Sequence, residues 1–121
     1  MTTLTESVYT GEFLVSEANN TLSREQVTLA PGLNLLSGTV LGRMTDSDVY
    51  VPLDLLATDG SEQAAGVLYN NATTSSSGGD AVIIARQAEV DEQLLVWPAV
   101  ITAEQQKVAL TELATLGIVL R

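Results

Sequence analysis

Along most of this chain the apolar residues fall in short strand-like segments broken by turn residues, and only one late stretch repeats with the spacing of a helix. Glu25-Gln26-Val27-Thr28-Leu29-Ala30 alternates polar and apolar as a half-buried strand does. Pro31-Gly32 follows as a turn pair. In the next stretch, LNLLSGTVLGRM from Leu33 to Met44, Gly38 suits a turn that needs positive φ. Thr39-Val40-Leu41 is β-rich, and Gly42 would let another backbone come close. Asp46-Ser47-Asp48 marks a second turn, and Val49-Tyr50-Val51 is a short strand stopped by Pro52. Leu53 to Gly60 obeys neither period and ends on the Asp59-Gly60 turn signal. Gln63 to Tyr69 is predicted as a strand with Gly66 inside it, and Asn70 to Asp80 as a polar loop. Ala81 to Ala85 is a buried β-branched run, and Leu94 to Trp97 a further strand stopped by Pro98.

The period changes after Ile101. Thr102-Ala103-Glu104-Gln105 carries a capping box, with Thr102 at the N-cap and Gln105 three residues on. The helix that follows directs Val108, Leu110, Leu113, Ala114 and Leu116 toward one broad face and is closed by Gly117 in the left-handed conformation. Ile118-Val119-Leu120 returns as a last strand. Many strands, one late helix and one strand predict a β-rich α+β domain, small and barrel-like.

Residues 1–24 differ from the rest. They are rich in Thr, Ser, Asn and Glu around one apolar cluster, Phe13-Leu14-Val15. The expectation is a flexible arm over 1–24 and a β-rich domain over 25–121. The alternatives are an edge strand of the domain or a frayed terminus. Extended, an arm of that length reaches roughly 80 Å at about 3.3 Å per residue.

Composition narrows the function. The 121 residues include no Cys and no His, so disulfides, thiol chemistry, the commonest general base and the commonest transition-metal ligands are all missing. The expectation is a non-enzyme without cofactor or metal. Net charge is −10, and the five cations, Arg24, Arg43, Arg86, Lys107 and Arg121, are scattered. That balance disfavours nucleic acid and anionic membrane surfaces as partners. No apolar run approaches the length of a bilayer span.

The remaining candidates for chemistry have simpler readings. Asp46 with Asp48, and Glu89 with Asp91 and Glu92, lack EF-hand spacing and read as solvated turns. Ser75-Ser76-Ser77-Gly78-Gly79-Asp80 has no Gly-Lys-Thr element and reads as a hairpin loop. Lys107 is the only Lys and is expected to pair on its helix with Glu104 or Glu112. Trp97 is the sole Trp, placed either in the core or at an interface.

Several of these pieces together resemble a known family. Val27 to Gly32, the LNLLSGTVLG run from Leu33 to Gly42, Ala64-Ala65-Gly66-Val67-Leu68, Leu95-Val96-Trp97-Pro98, and the capped helix with Gly117-Ile118-Val119-Leu120 resemble the lambda-type head decoration proteins of tailed bacteriophages. The resemblance runs from about Thr10 to the C-terminus. Leu53 to Gly60 and the loop after Tyr69 depart from it.

The resemblance implies a β-tulip-like fold and a homotrimer bound to the major capsid protein, outside the expanded head at three-fold sites. The role implied is a cement against the pressure of packaged DNA, in a protein made in the bacterial host cytoplasm. It also implies that the arm, here Tyr9, Phe13, Leu14 and Val15, becomes ordered on the capsid. Pro31, Gly32, Trp97 and Pro98 are expected at the trimer or capsid interface. The rival reading is a receptor- or carbohydrate-binding β-domain from a phage tail or fibre, which would use the exposed members of Tyr9, Phe13, Tyr50, Tyr69 and Trp97.

Overall fold

The architecture is that of a computed structural model, which describes residues 14–17, 23–98 and 101–120. Among the described residues the named elements are β1 Leu14–Glu17, β2 Arg24–Leu29, β3 Asn34–Leu35, β4 Val40–Arg43, β5 Val49–Pro52, β6 Ala64–Leu68, β7 Ala72–Thr73, β8 Gly79–Ile84, β9 Ala88–Val90, the helix α1 Ala103–Thr115 and β10 Ile118–Leu120. Strands β2, β5, β4, β6 and β8 close into a barrel in that order. The seam is the long antiparallel pair of β2 with β8, from Arg24↔Ile84 to Leu29↔Gly79. The barrel-like, β-rich fold with one C-terminal helix expected from the residue pattern is thus present.

Two apolar clusters sit on either side of the barrel wall. Inside it, the alternation of β2 and β8 brings Val27, Leu29, Ala81 and Ile83 together with Leu41, Tyr50 and Leu68. On the outer face, Val40, Val67 and Ile84 meet Val90, Leu113 and Ile118. A register shift in the β4–β6 pairing, between Leu41 and Gly42, re-aims the strands where they leave the barrel. A Cβ at Gly42 would stand 2.2 Å from the Ser61 carbonyl oxygen, which is the close approach its sequence position implied.

Helix α1 starts on the predicted capping box. Thr102 Oγ1 accepts from the Gln105 amide at 3.2 Å, and Gln105 Oε1 accepts from the Thr102 amide at 2.9 Å. Gly117, at φ +86°, ends it in the left-handed conformation. Its buried face differs from the expected one. Ala109 and Leu113 are buried, while Val108 is 57% exposed and Ala114 is also exposed. At 100° per residue Val108 lies a quarter-turn off the Ala109–Leu113 stripe, so packing on β6 and β10 leaves it outside. Glu112 does not serve Lys107: its carboxylate accepts from the Ala64 amide at 2.8 Å and ties the helix to β6.

Two other expectations are corrected. Leu94–Trp97 is not a strand: a 3₁₀ turn occupies Glu92–Leu94, and only Val96 bridges to Thr39. The polar segment 70–80 is not all loop, because β7 pairs with β3 and β8 begins at Gly79. Ser23 is fully buried with its carbonyl accepting from Ala85, and Leu14–Glu17 forms a strand paired with β9. Leu14 packs on the outer apolar cluster, which holds this part of the expected arm in the domain as an edge strand.

Candidate interaction surfaces

Outside the barrel, β1, β9 and β10 form a three-stranded sheet in the order β1-β9-β10. β1 lies antiparallel to β9, and β10 lies parallel to it. The edge of β1 facing away from β9 carries no strand among the described residues. The β1–β9 register shifts between Leu14 and Ser16, and Val15 at the shift is 53% exposed. An irregular edge strand of this kind resists casual pairing with other chains while still offering backbone groups to a specific one.

A second surface surrounds Trp97 and Pro98. Both are half-buried, and Trp97 packs against the outer cluster with its remaining face open. They line a groove of about 220 Å³ with Leu35, Leu36, Pro52 and Val96. Its floor is fixed by backbone bonds: Val96 donates to Gly38 at 2.8 Å, and Val40 donates to Val96 at 3.1 Å. Of the two readings weighed for Trp97, the core one describes its packed face. Leu36, a rim residue of this groove, was not singled out from the sequence. An exposed leucine inside an LNLL run looks there like any core leucine.

Pro31 and Gly32 form the expected turn and are exposed, Gly32 with φ +73°. They lie beside the Ser75–Gly78 hairpin, where the Gly32 amide donates to Ser75 at 3.0 Å. They do not line the Trp97–Pro98 groove, so the structure does not join these two pairs in one cavity. Tyr9 and Phe13 lie outside the described residues.

The charged groups are engaged in local structure. Arg86 pairs with Glu25 in the lining of a polar cleft that also holds Tyr50, and Arg43 pairs with Asp48 at 3.6 Å. Burial, with the Glu25 charge next, raises the Tyr50 phenol above its ordinary pKa. Asp91 Oδ1 accepts from Gln93 and holds the 3₁₀ turn. Asp59 accepts from both the hydroxyl and the amide of Ser61, which holds its carboxyl below the ordinary aspartate value.

The closed β scaffold leaves open an edge strand and an uncharged groove beside several polar clefts, surfaces through which a structural protein can act. Comparison with protein families agrees: the family described as Bacteriophage lambda head decoration protein D matches residues 3–118, nearly the whole chain. The chain belongs to this family, and is a structural protein of the bacteriophage head that decorates the capsid of the virion. A search of curated proteins finds no match. No helix among the described residues is long and apolar enough to cross a membrane.

Proposed function

We propose that the protein binds the outer face of the expanded phage head as a homotrimer, at three-fold and quasi-three-fold sites of the major capsid protein, and stabilises the head against packaged DNA. Family membership across residues 3–118 is the observation that carries this reading. A cement acts by mass action, because it binds the assembled lattice and not its parts. Three weak attachments on one trimer combine through effective concentration. The charge of −10 per chain favours the outer face, away from DNA.

The attachment is assigned to residues 1–13 together with β1. Leu14 anchors the segment in the domain, and Val15, Phe13 and Tyr9 meet the capsid, with the outward edge of β1 open to strand addition. Ordering such a segment costs about 2–5 kcal/mol of the gross binding energy. Pro31 and Gly32, exposed on a rigid turn, are a second point of capsid contact.

The test is cosedimentation with expanded and unexpanded heads. Wild-type protein should pellet with expanded heads only. A deletion of residues 2–12, which spares β1, should leave the fold and the oligomer intact and abolish pelleting. Undiminished pelleting of that variant would overturn the assignment.

A further inference from the structure

We infer that one end of the barrel binds a small monocarboxylic acid, its carboxylate held by the Arg43 guanidinium and the Tyr50 phenol. The inference goes beyond capsid decoration and needs neither the trimer nor the head.

The polar cleft beside Tyr50 has a volume of about 460 Å³. Every barrel strand contributes to it, with Glu25 of β2, Arg43 of β4, Tyr50 of β5, Ala64 of β6 and Arg86 just after β8. A cleft lined by all five strands opens at an end of the barrel, and barrel mouths of this size are frequent ligand sites. Arg43 and Tyr50 stand directly opposite each other in the antiparallel β4–β5 pair, so their side chains leave the same face. The Tyr50 ring packs in the barrel interior, while the charges of Glu25, Arg43 and Arg86, all in the cleft lining, act on its phenol. The hydroxyl therefore points at the cleft.

Two donors there are left over by the fold. Tyr50 is 8% exposed, yet its hydroxyl has no hydrogen-bond partner among the described residues. Buried tyrosine hydroxyls ordinarily find one. Burial, with the Glu25 charge next, keeps the phenol protonated, so it remains a donor. Arg43 is in a similar position. Among the described residues its guanidinium meets only Asp48, at 3.6 Å, too far for a hydrogen bond. The Asp48 side chain is 77% exposed, and an ion pair so open to solvent contributes little. A ligand carboxylate can take the place of Asp48 at small cost.

The donor set selects the ligand. A guanidinium presents a planar fork of N–H groups that matches the two oxygens of a carboxylate, and the phenol supplies one more donor. Two of the five cations of this acidic chain, Arg43 and Arg86, line this one cleft. Arg86 is already paired with Glu25, which leaves Arg43 to receive the ligand. The Glu25 carboxylate and the chain's charge of −10 oppose a doubly charged phosphate more than a singly charged acid. Ala65, Ala85 and Leu116 complete the lining with apolar surface, against which the hydrocarbon part of the acid leaves water.

The test is an NMR titration of purified full-length protein with hexanoate, run beside hexanol and inorganic phosphate. Hexanoate should give saturable shifts in the millimolar range at Arg43, Tyr50, Ala64 and Ala65, and the two comparison ligands should bind about tenfold more weakly or less. Tyr50→Phe keeps the ring in the core and removes only the hydroxyl. That variant and Arg43→Gln should each weaken hexanoate binding about tenfold, as expected for a lost hydrogen bond to a charged group, with little change in the unfolding midpoint. Lys107→Gln makes the same change in net charge on α1 and should bind hexanoate like wild type. Three results would each overturn the inference: no saturable shift at the cleft, phosphate or hexanol binding as tightly as hexanoate, or either cleft variant binding like wild type.

Discussion

The barrel and the sheet beside it make opposite use of the same β structure. In the barrel each of the five strands has a partner on both sides, and the interior is filled by Leu29, Leu41, Leu68 and Ile83. In the β1-β9-β10 sheet only β9 is flanked on both sides, and every strand has four residues or fewer. Closure removes edges and concentrates stability. The small sheet depends on the outer cluster, through Leu14, Ala88, Val90 and Ile118, and keeps its outermost edges for other uses. A protein that must stay folded while gripping a partner separates the two tasks in this way.

That contrast can be broken most severely inside the barrel. Leu41→Ala removes a fully buried side chain and should cost about 2–5 kcal/mol in a denaturant titration. Leu14→Ala should cost less, about 1–2 kcal/mol, because Leu14 is only half-buried on an edge strand. Hydrogen exchange sharpens the same point: β1 amides should exchange through local opening in both proteins, whereas β2 and β8 amides exchange only with global unfolding. Equal protection of β1 and β8 would contradict the division. Thr102→Ala, which removes the cap holding the covering helix, should cost about 1 kcal/mol, read as a lowered unfolding midpoint.

The smallest effect is a pH dependence at the turn after β5. Asp59 titrates lower in the folded state than unfolded, because Ser61 bonds its charged form. Its contribution is therefore present above the ordinary aspartate range and lost as pH falls through the lowered value. Ser61→Ala should lower the midpoint slightly at neutral pH, and the gap to wild type should close on the acid side of that range. A gap that widened toward low pH would reverse the sign.

Much of the barrel was legible because its strands bury one face. Val27 with Leu29 alternates as a period-two pattern requires, Ala81 to Ala85 stands out as a buried β-branched run, and the capping box at Thr102 names its own helix. The outer sheet was less legible. Ala88–Val90 is too short for a period, and its strand character comes from β1 and β10, neighbours distant in sequence. Leu94–Trp97 misled for the opposite reason: it is apolar because it lines core and groove, yet just one of its residues bridges to a strand. Trp97 and Pro98 stood out through residue type, and both line a groove. Leu36 did not, since exposure of a leucine is a property of the fold and leaves no mark in local sequence.

The arrangement around β9 has a consequence for how this chain can be rewired. Leu14 and Leu120 both stand level with Val90, on opposite sides of it, so the polypeptide enters β1 and leaves β10 at the same end of one sheet. Two strand spacings separate them, about 10 Å. A bridge of about three or four residues would span that gap, and new ends could be opened at the Ser75–Gly78 hairpin without unpairing β2 from β8. The described fold is, in this sense, nearly circular, with residues 14 and 120 side by side.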